Sequence, residues 1–118
     1  MEYKTELYQH QNFILQLINQ TLAETIDVSF DEFQQNEQMK EILYSHLQEI
    51  GQAAQEIIYL NISDLDNPEI YKNMASFRNA RYHQEAELNH EPVWDIIKND
   101  LPRLEQILEN DIQEVEEY

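Results

Sequence analysis

The chain has 118 residues, no cysteine and a formal net charge of −17, which allow one compact domain and exclude disulfides and thiolate metal sites. No stretch is apolar for long enough to span a bilayer or to act as a secretion signal. We therefore expect one helical domain over residues 1–118, located in the cytoplasm and without membrane contact.

The acidic charge argues against a protein that coats nucleic acid through broad electrostatic attraction, so any contact with RNA must be local. Lys72, Arg78 and Arg81 lie within Ile70–Gln84, a stretch without Asp or Glu that we call the basic segment. Toward the end of the chain the charge is acidic alone, and residues 109–118 are expected to form a frayed acidic tail.

With a single glycine and three prolines, the chain has few of the residues that turns and strands need, and it is predicted to be all-α. The first helix is predicted over Glu2–Thr25, where apolar residues recur at helical spacing. Ser29 followed by Glu32 is a capping-box pattern that predicts a second, short helix. Phe30 and Phe33 are expected to anchor this helix in the core.

A long apolar stripe predicts another helix over Glu37–Tyr59. Gly51 lies inside it, where glycine costs about 1 kcal/mol relative to alanine, so we expect a neighbouring backbone to approach there. Asn67 and Pro68 resemble an N-cap followed by proline at the first helical position, which predicts a helix start at Pro68. The stripe of the long helix consists of Met39, Ile42, Leu43, Leu47, Ile50, Ala53, Ala54, Ile57 and Ile58.

The last helix is predicted from Pro92 to Leu108. A kink or break is expected just before Pro102, because proline cannot continue the helical hydrogen bonds. Each amphipathic helix must be covered by another, so the predicted fold is an all-α, four- to five-helix up-down bundle.

The string from Phe77 to His83 combines a permanent cation, an amide and an imidazole in Arg78, Asn79 and His83. Cleavage of a phosphodiester needs a group that moves a proton and a donor that stabilises phosphate charge, which His83 and Arg78 can supply. On a continuous helix Asn79 would lie about 40° from His83 and Arg78 about 140° from it, so one undistorted helix cannot aim all three at one phosphate. Either the helix ends near His83 or two chains share a cleft.

The other three histidines, His10, His46 and His90, show no such pattern and are interpreted as ordinary, partly exposed residues. The sequence has neither a metal-binding motif nor a glycine-rich phosphate loop. We therefore expect no metal and no other cofactor.

The motif R-N-x-x-x-H, followed by V-W-x-I-I-x-x-D-L-P-x-L, is similar to the HepT-like branch of the HEPN superfamily. The F-x-x-N segment at Phe33 and the L-x-x-I-G-x-A-A segment that begins at Leu47 resemble further family segments. The resemblance runs from about Ser29 to Leu108, and it implies a HEPN-like helical bundle.

The resemblance implies a metal-independent endoribonuclease that is the toxin of a toxin–antitoxin pair, with a minimal nucleotidyltransferase as its antitoxin. It also implies a homodimer in which two copies of the motif face one RNA cleft. By the same resemblance Arg78 stabilises the scissile phosphate and Asn79 orients the catalytic pair. His83 acts as general acid or base, or positions the attacking 2′-hydroxyl. Lys72 and Arg81 of the basic segment are expected to bind RNA.

The chain departs from the family two residues after the histidine. Many members have there a tyrosine that the antitoxin modifies with AMP, and this chain has Glu85. Neutralisation would then depend on physical blockage or on another tyrosine, or it would be absent. Two other functions stay open: a non-catalytic nucleotide- or substrate-binding subunit that partners a nucleotidyltransferase, and a helical scaffold in which Arg78 and His83 form surface hydrogen bonds.

Overall fold

A computed structural model describes the backbone of residues 2–82 and 89–116 and the side chains of residues 4–82 and 89–112. Within these ranges the chain is an all-α bundle, as predicted. No helix in the described ranges is long and apolar enough to cross a membrane. The helices are α1 (Glu2–Thr25), α2 (Phe30–Gln35), α3 (Glu37–Tyr59), α4 (Pro68–Ala75), α5 (Glu91–Asp95) and α6 (Leu101–Glu116).

Two short elements of different pitch adjoin these helices. A 3-10 turn over Ser76–Asn79 follows α4, and a π-helical turn over Ile96–Asp100 joins α5 to α6. The backbone amide of Leu101 donates to the carbonyl of Ile96, five residues earlier. The distortion expected before Pro102 is therefore a widened turn, and the helix continues beyond it.

Short polar side chains fix the starts of α2 and α3. Ser29 Oγ accepts from the backbone amide of Glu32 at 3.1 Å, which confirms the predicted cap of α2. Asn36 Oδ1 accepts from the amide of Met39 at 3.0 Å and caps α3 in the same way. Asn36 is also the extended residue that ends α2, so one residue separates the two helices.

Helix α4 begins at Pro68 with Asn67 at its N-cap position, as predicted, but the Asn67 side chain makes no capping hydrogen bond. Its backbone is left-handed, with φ 49°, a conformation that asparagine tolerates better than most residues. Its Nδ2 instead donates to Asp111 Oδ1 at 2.9 Å, which ties the start of α4 to α6. Helix α6 continues to Glu116, and its Asp111 and Ile112 are buried.

The core forms where α3 packs against α1, α4 and the 3-10 turn, and where α1 packs against α6. Burial of one large aliphatic side chain contributes about 1.5–3 kcal/mol, so the predicted stripes account for most of the drive to fold. Ile42 is an exception, because it was expected in the stripe of α3 but is 42% exposed. The fully buried aliphatic side chains include Ile14, Ile18, Leu43, Leu47, Ile50, Ile57, Met74, Ile97, Leu101, Leu104 and Leu108.

Gly51 is the point at which α3 and the 3-10 turn meet. A Cβ atom at this position would lie 2.6 Å from Cγ of Arg78, 2.8 Å from the backbone nitrogen of Arg78 and 3.1 Å from the carbonyl oxygen of Met74. Two of these atoms belong to the backbone and cannot rotate away. The structure therefore confirms the expected close backbone approach and identifies Arg78 as the residue held against α3.

Gly51→Ala is expected to lower the free energy of unfolding by about 1–3 kcal/mol, the usual cost of overpacking a tight contact. At an unconstrained helical position the same change would stabilise the protein by about 1 kcal/mol, so the sign of the change is the test. Urea unfolding followed by circular dichroism measures it. A variant more stable than the parent would show that the turn does not rest on Gly51.

Candidate functional site

Three residues of the basic segment line one open groove of about 510 Å³: Arg78, Asn79 and Arg81. All three are exposed. Lys72, also expected to bind RNA, is exposed on α4 and is not among the residues that line this groove. The opposite wall is one face of α3, formed by Ser45, Gln48, Glu49 and Gln52.

The chain loses its regular helical form before it reaches the predicted catalytic histidine. Helix α4 ends at Ala75, the 3-10 turn ends at Asn79, and Ala80 is extended, with φ −77° and ψ 93°. The helical angles that separated Arg78 from His83 therefore do not apply. His83 and Glu85 themselves lie outside the described residues.

Two glutamines of α3 hold the chain after α4. Gln48 Nε2 donates to the carbonyl oxygen of Ala80 at 2.8 Å. Arg78 Nη1 donates to Gln52 Oε1 at 3.4 Å, and Gln52 Nε2 donates to Glu56 Oε1 at 2.8 Å. The bond to Arg78 is long and uses one of five guanidinium donors, and no described residue accepts from the others, which can therefore bind an anion.

A smaller groove of about 270 Å³ continues along α3. Its walls are Glu41, Tyr44, Ser45, Gln48 and Tyr82, and it shares Ser45 and Gln48 with the larger groove. Tyr82 is the residue bonded to His83 in the chain. The two grooves therefore follow the polar face of α3 from Gln52 toward the start of the helix.

Tyr82 belongs to a polar-aromatic cluster, which we define as Glu37, Lys40, Tyr44, Tyr82 and His90. The Tyr82 hydroxyl donates to Glu37 Oε2, and its ring centroid lies 5.3 Å from that of Tyr44 and 6.1 Å from that of His90. Lys40 Nζ lies 2.9 Å from Glu37 Oε1 and 5.7 Å from the centroid of the Tyr82 ring. The chain is thus anchored at one cluster both before and after residues 83–88.

His90 is buried, which corrects its interpretation as a partly exposed residue. Its Nδ1 lies 2.7 Å from the Tyr44 hydroxyl, and Phe33 packs edge-on against its ring. Burial lowers the pKa of His90 and the positive charge of Lys40 lowers it further, while the carboxylate of Glu37 acts in the opposite direction. Burial also raises the pKa of Tyr44, so the pair is held in its neutral form.

His46 is buried as well, which again differs from the expected exposure. Its Nδ1 lies 3.1 Å from Oγ1 of Thr21 and 3.9 Å from Oε2 of Glu24. It joins α3 to α1 and has no place in the groove. His10 is partly exposed, as predicted. Among the described residues, no group of three or more His, Asp or Glu side chains is arranged to hold a metal ion.

The side chains of α3 that line the larger groove were not identified from the sequence. Ser45, Gln48, Glu49 and Gln52 are spaced i, i+3, i+4 and i+7, so they form one polar face. That face lies beside Gly51, where a close backbone approach was expected. The polar face and the neighbouring glycine together indicate that another segment packs against this side of α3. The sequence does not show which segment that is.

The lowered pKa of His90 predicts a loss of stability in mild acid. Above the ordinary histidine pKa of 6.5 the side chain is neutral in both states, and its native packing contributes fully. As the pH falls below that value the unfolded chain gains a proton first, so the free energy of unfolding decreases until the folded-state pKa is reached. His90→Gln should weaken this pH dependence, measured by urea unfolding at about pH 7.5 and about pH 5.5.

His10→Gln provides the control, because it removes a partly exposed histidine from α1. Buried Asp111 and partly buried Glu105 have raised pKa values and shift stability in the opposite sense, but they are the same in all three proteins. An unchanged pH dependence in His90→Gln would contradict the assignment of the loss of stability in mild acid to His90.

The chain matches the family model described as Ribonuclease HepT-like over residues 14–110. It is 30% identical over 105 residues to "Putative RNase MJ0127" of Methanocaldococcus jannaschii. The matched region covers 88% of this chain and 79% of the relative. It is 26% identical over 98 residues to "Putative RNase MJ1380" of the same organism, with 81% and 87% covered. No solved structure matches the chain at comparable significance.

The chain therefore belongs to the HepT-like ribonuclease family of the HEPN superfamily, as its motifs indicated. The family and the names of these relatives support an RNase-type function.

Proposed function

We propose that this protein is a metal-independent endoribonuclease whose site is the groove between α3 and the chain that follows α4. The observation that carries the proposal is the grouping of Arg78, Asn79 and Arg81 in one groove of a chain with net charge −17. A phosphodiester is attracted to a local concentration of positive charge even when the whole protein is acidic. This groove is therefore the favoured place for an RNA backbone.

In the proposed reaction Arg78 stabilises charge on the phosphate and Asn79 orients the catalytic groups. His83 accepts the proton of the 2′-hydroxyl, and the 2′-oxygen forms a bond to phosphorus. The bond from phosphorus to the 5′-oxygen breaks, and that oxygen takes up a proton. The products are a 2′,3′-cyclic phosphate and a 5′-hydroxyl, while Arg81 and Lys72 bind neighbouring phosphates.

The proposal gives His83 a defined neighbour on the described part of the chain. Tyr82 precedes it directly and lies against α3, in the groove that shares Ser45 and Gln48 with the Arg78 groove. The polar-aromatic cluster holds Tyr82 in that place. These contacts support a site in which the imidazole and the guanidinium serve one RNA linkage.

In the proposed assembly two copies associate so that both R-N-x-x-x-H motifs face one cleft, and the protein is the cytoplasmic toxin of a minimal nucleotidyltransferase antitoxin. Glu85 replaces the family tyrosine, so neutralisation would use physical blockage or another tyrosine.

Sedimentation equilibrium tests the homodimer. Growth of cells that express this chain, with and without a nucleotidyltransferase encoded beside it, tests the pairing. Unimpaired growth when the nucleotidyltransferase is absent would contradict the toxin role.

Arg78→Ala and His83→Ala are each expected to reduce RNA cleavage by about 10²–10⁴-fold, because charge stabilisation and proton transfer each contribute about that much to rate. The assay uses single-stranded RNA in the presence of EDTA. A parallel substrate with 2′-deoxyribose at the cleaved position should stay intact. Circular dichroism verifies that the helices of each variant are retained.

Arg103→Ala and His10→Ala are matched controls, since they remove the same side chains from α6 and α1, outside the groove. Both should cleave as the parent does. Cleavage that persists in Arg78→Ala and His83→Ala would refute the proposed site. An inactive parent that binds nucleotides or a nucleotidyltransferase would select the binding-subunit function instead.

A further inference from the structure

Glu49 is a carboxylate in a groove that also contains two arginines. It lies on the polar face of α3 opposite Arg78 and Arg81, and it is exposed. No hydrogen bond or ion pair engages its side chain among the described residues. Its charge is therefore available to a ligand in the groove.

A carboxylate in this position opposes the binding of a phosphate. An RNA strand in the groove must keep its phosphates near Arg78 and Arg81 and turn another part of the nucleotide toward Glu49. The 2′-hydroxyl is the group that reacts in the proposed cleavage, so the part of a single-stranded nucleotide left to face Glu49 is its base, whose edges are open to hydrogen bonding. The volume of about 510 Å³ falls within the range of about 300–1,000 Å³ found for small-ligand sites, so a nucleotide fits.

The donor pattern of the base then decides which nucleotide suits Glu49. An ionised carboxylate only accepts hydrogen bonds, and its two oxygens bind best to two adjacent donors. Guanine presents two adjacent donors, N1–H and the N2 amine, on its Watson–Crick edge. Adenine and cytosine place an acceptor beside their amine, and uracil places carbonyls on both sides of its single N–H.

Guanine also complements the arginines of the groove. Its other edge carries the N7 and O6 acceptors, which arginine binds with two donors. Arg81 is exposed and makes no side-chain hydrogen bond or ion pair in the described part of the chain. Arg81 needs two of its five N–H donors for this edge and keeps the others for a neighbouring phosphate, so Glu49 and Arg81 together match both edges of this base.

We propose that Glu49 is a specificity residue that selects guanine beside the cleaved linkage of single-stranded RNA. The inference rests on the proposed ribonuclease function and adds to it the base that the groove accepts. Gln48 and Gln52 are less suited to this task, because the first binds Ala80 and the second binds Arg78 and Glu56.

The test uses four single-stranded oligouridines that are identical except at one central position. That position holds guanosine, adenosine, cytidine or inosine. The parent protein should cleave beside guanosine at least about fivefold faster than beside adenosine or cytidine, the low end of what a bidentate base contact contributes. Inosine lacks the N2 amine and should lose part of this preference. Glu49→Gln presents one donor and one acceptor, which can pair with an adjacent acceptor and donor on any base, so its preference for guanosine should be lost.

Glu109→Gln is the matched control, because it makes the same change on an exposed position of α6 and should keep the preference of the parent. Equal base preference in the parent and in Glu49→Gln would overturn the inference while leaving the ribonuclease function intact. Binding of the same oligonucleotides, followed by fluorescence anisotropy, separates the two proposals. Guanosine-selective binding that is lost in Glu49→Gln would support the inference even if no RNA is cleaved. The absence of cleavage would then overturn the nuclease function alone.

Discussion

The contact between Gly51 and the backbone of Arg78 sets the geometry of the whole groove. Because Gly51 has no side chain, the 3-10 turn rests directly on α3, with backbone atoms closer than any Cβ would allow. The turn then places Arg78 within reach of Gln52, and Gln48 binds Ala80 one residue after the turn. An interior glycine that weakens α3 as a helix is thus what permits the two walls of the groove to meet.

The strong acidity of the chain and a site for RNA are compatible because electrostatic interactions are short-ranged in salt. At physiological ionic strength the screening length is about 8 Å, so charges within the groove outweigh acidic residues elsewhere on the surface. The same reasoning gives Glu49 its importance. It lies inside the groove with Arg78 and Arg81, where its charge acts on the same ligand.

The sequence predicted the features that depend on a few consecutive residues. The limits of α1 and α3, the Ser29 cap of α2 and the distortion before Pro102 all follow from local periodicity, capping or the chemistry of proline. The motif that carries Arg78 and Asn79 was also visible, as was the need for a close contact at Gly51. Each of these signals is local, so none required knowledge of which helices are neighbours.

Only the tertiary structure decided which residues face one another. The burial of His90 against Tyr44, the bond from Asn67 to Asp111 and the place of Glu49 in the groove each join segments far apart in the chain. A polar side chain on an amphipathic helix looks the same in sequence whether it faces solvent or another segment. Its role is fixed by the packing of α3 against the chain after α4, and that packing arises from the whole core.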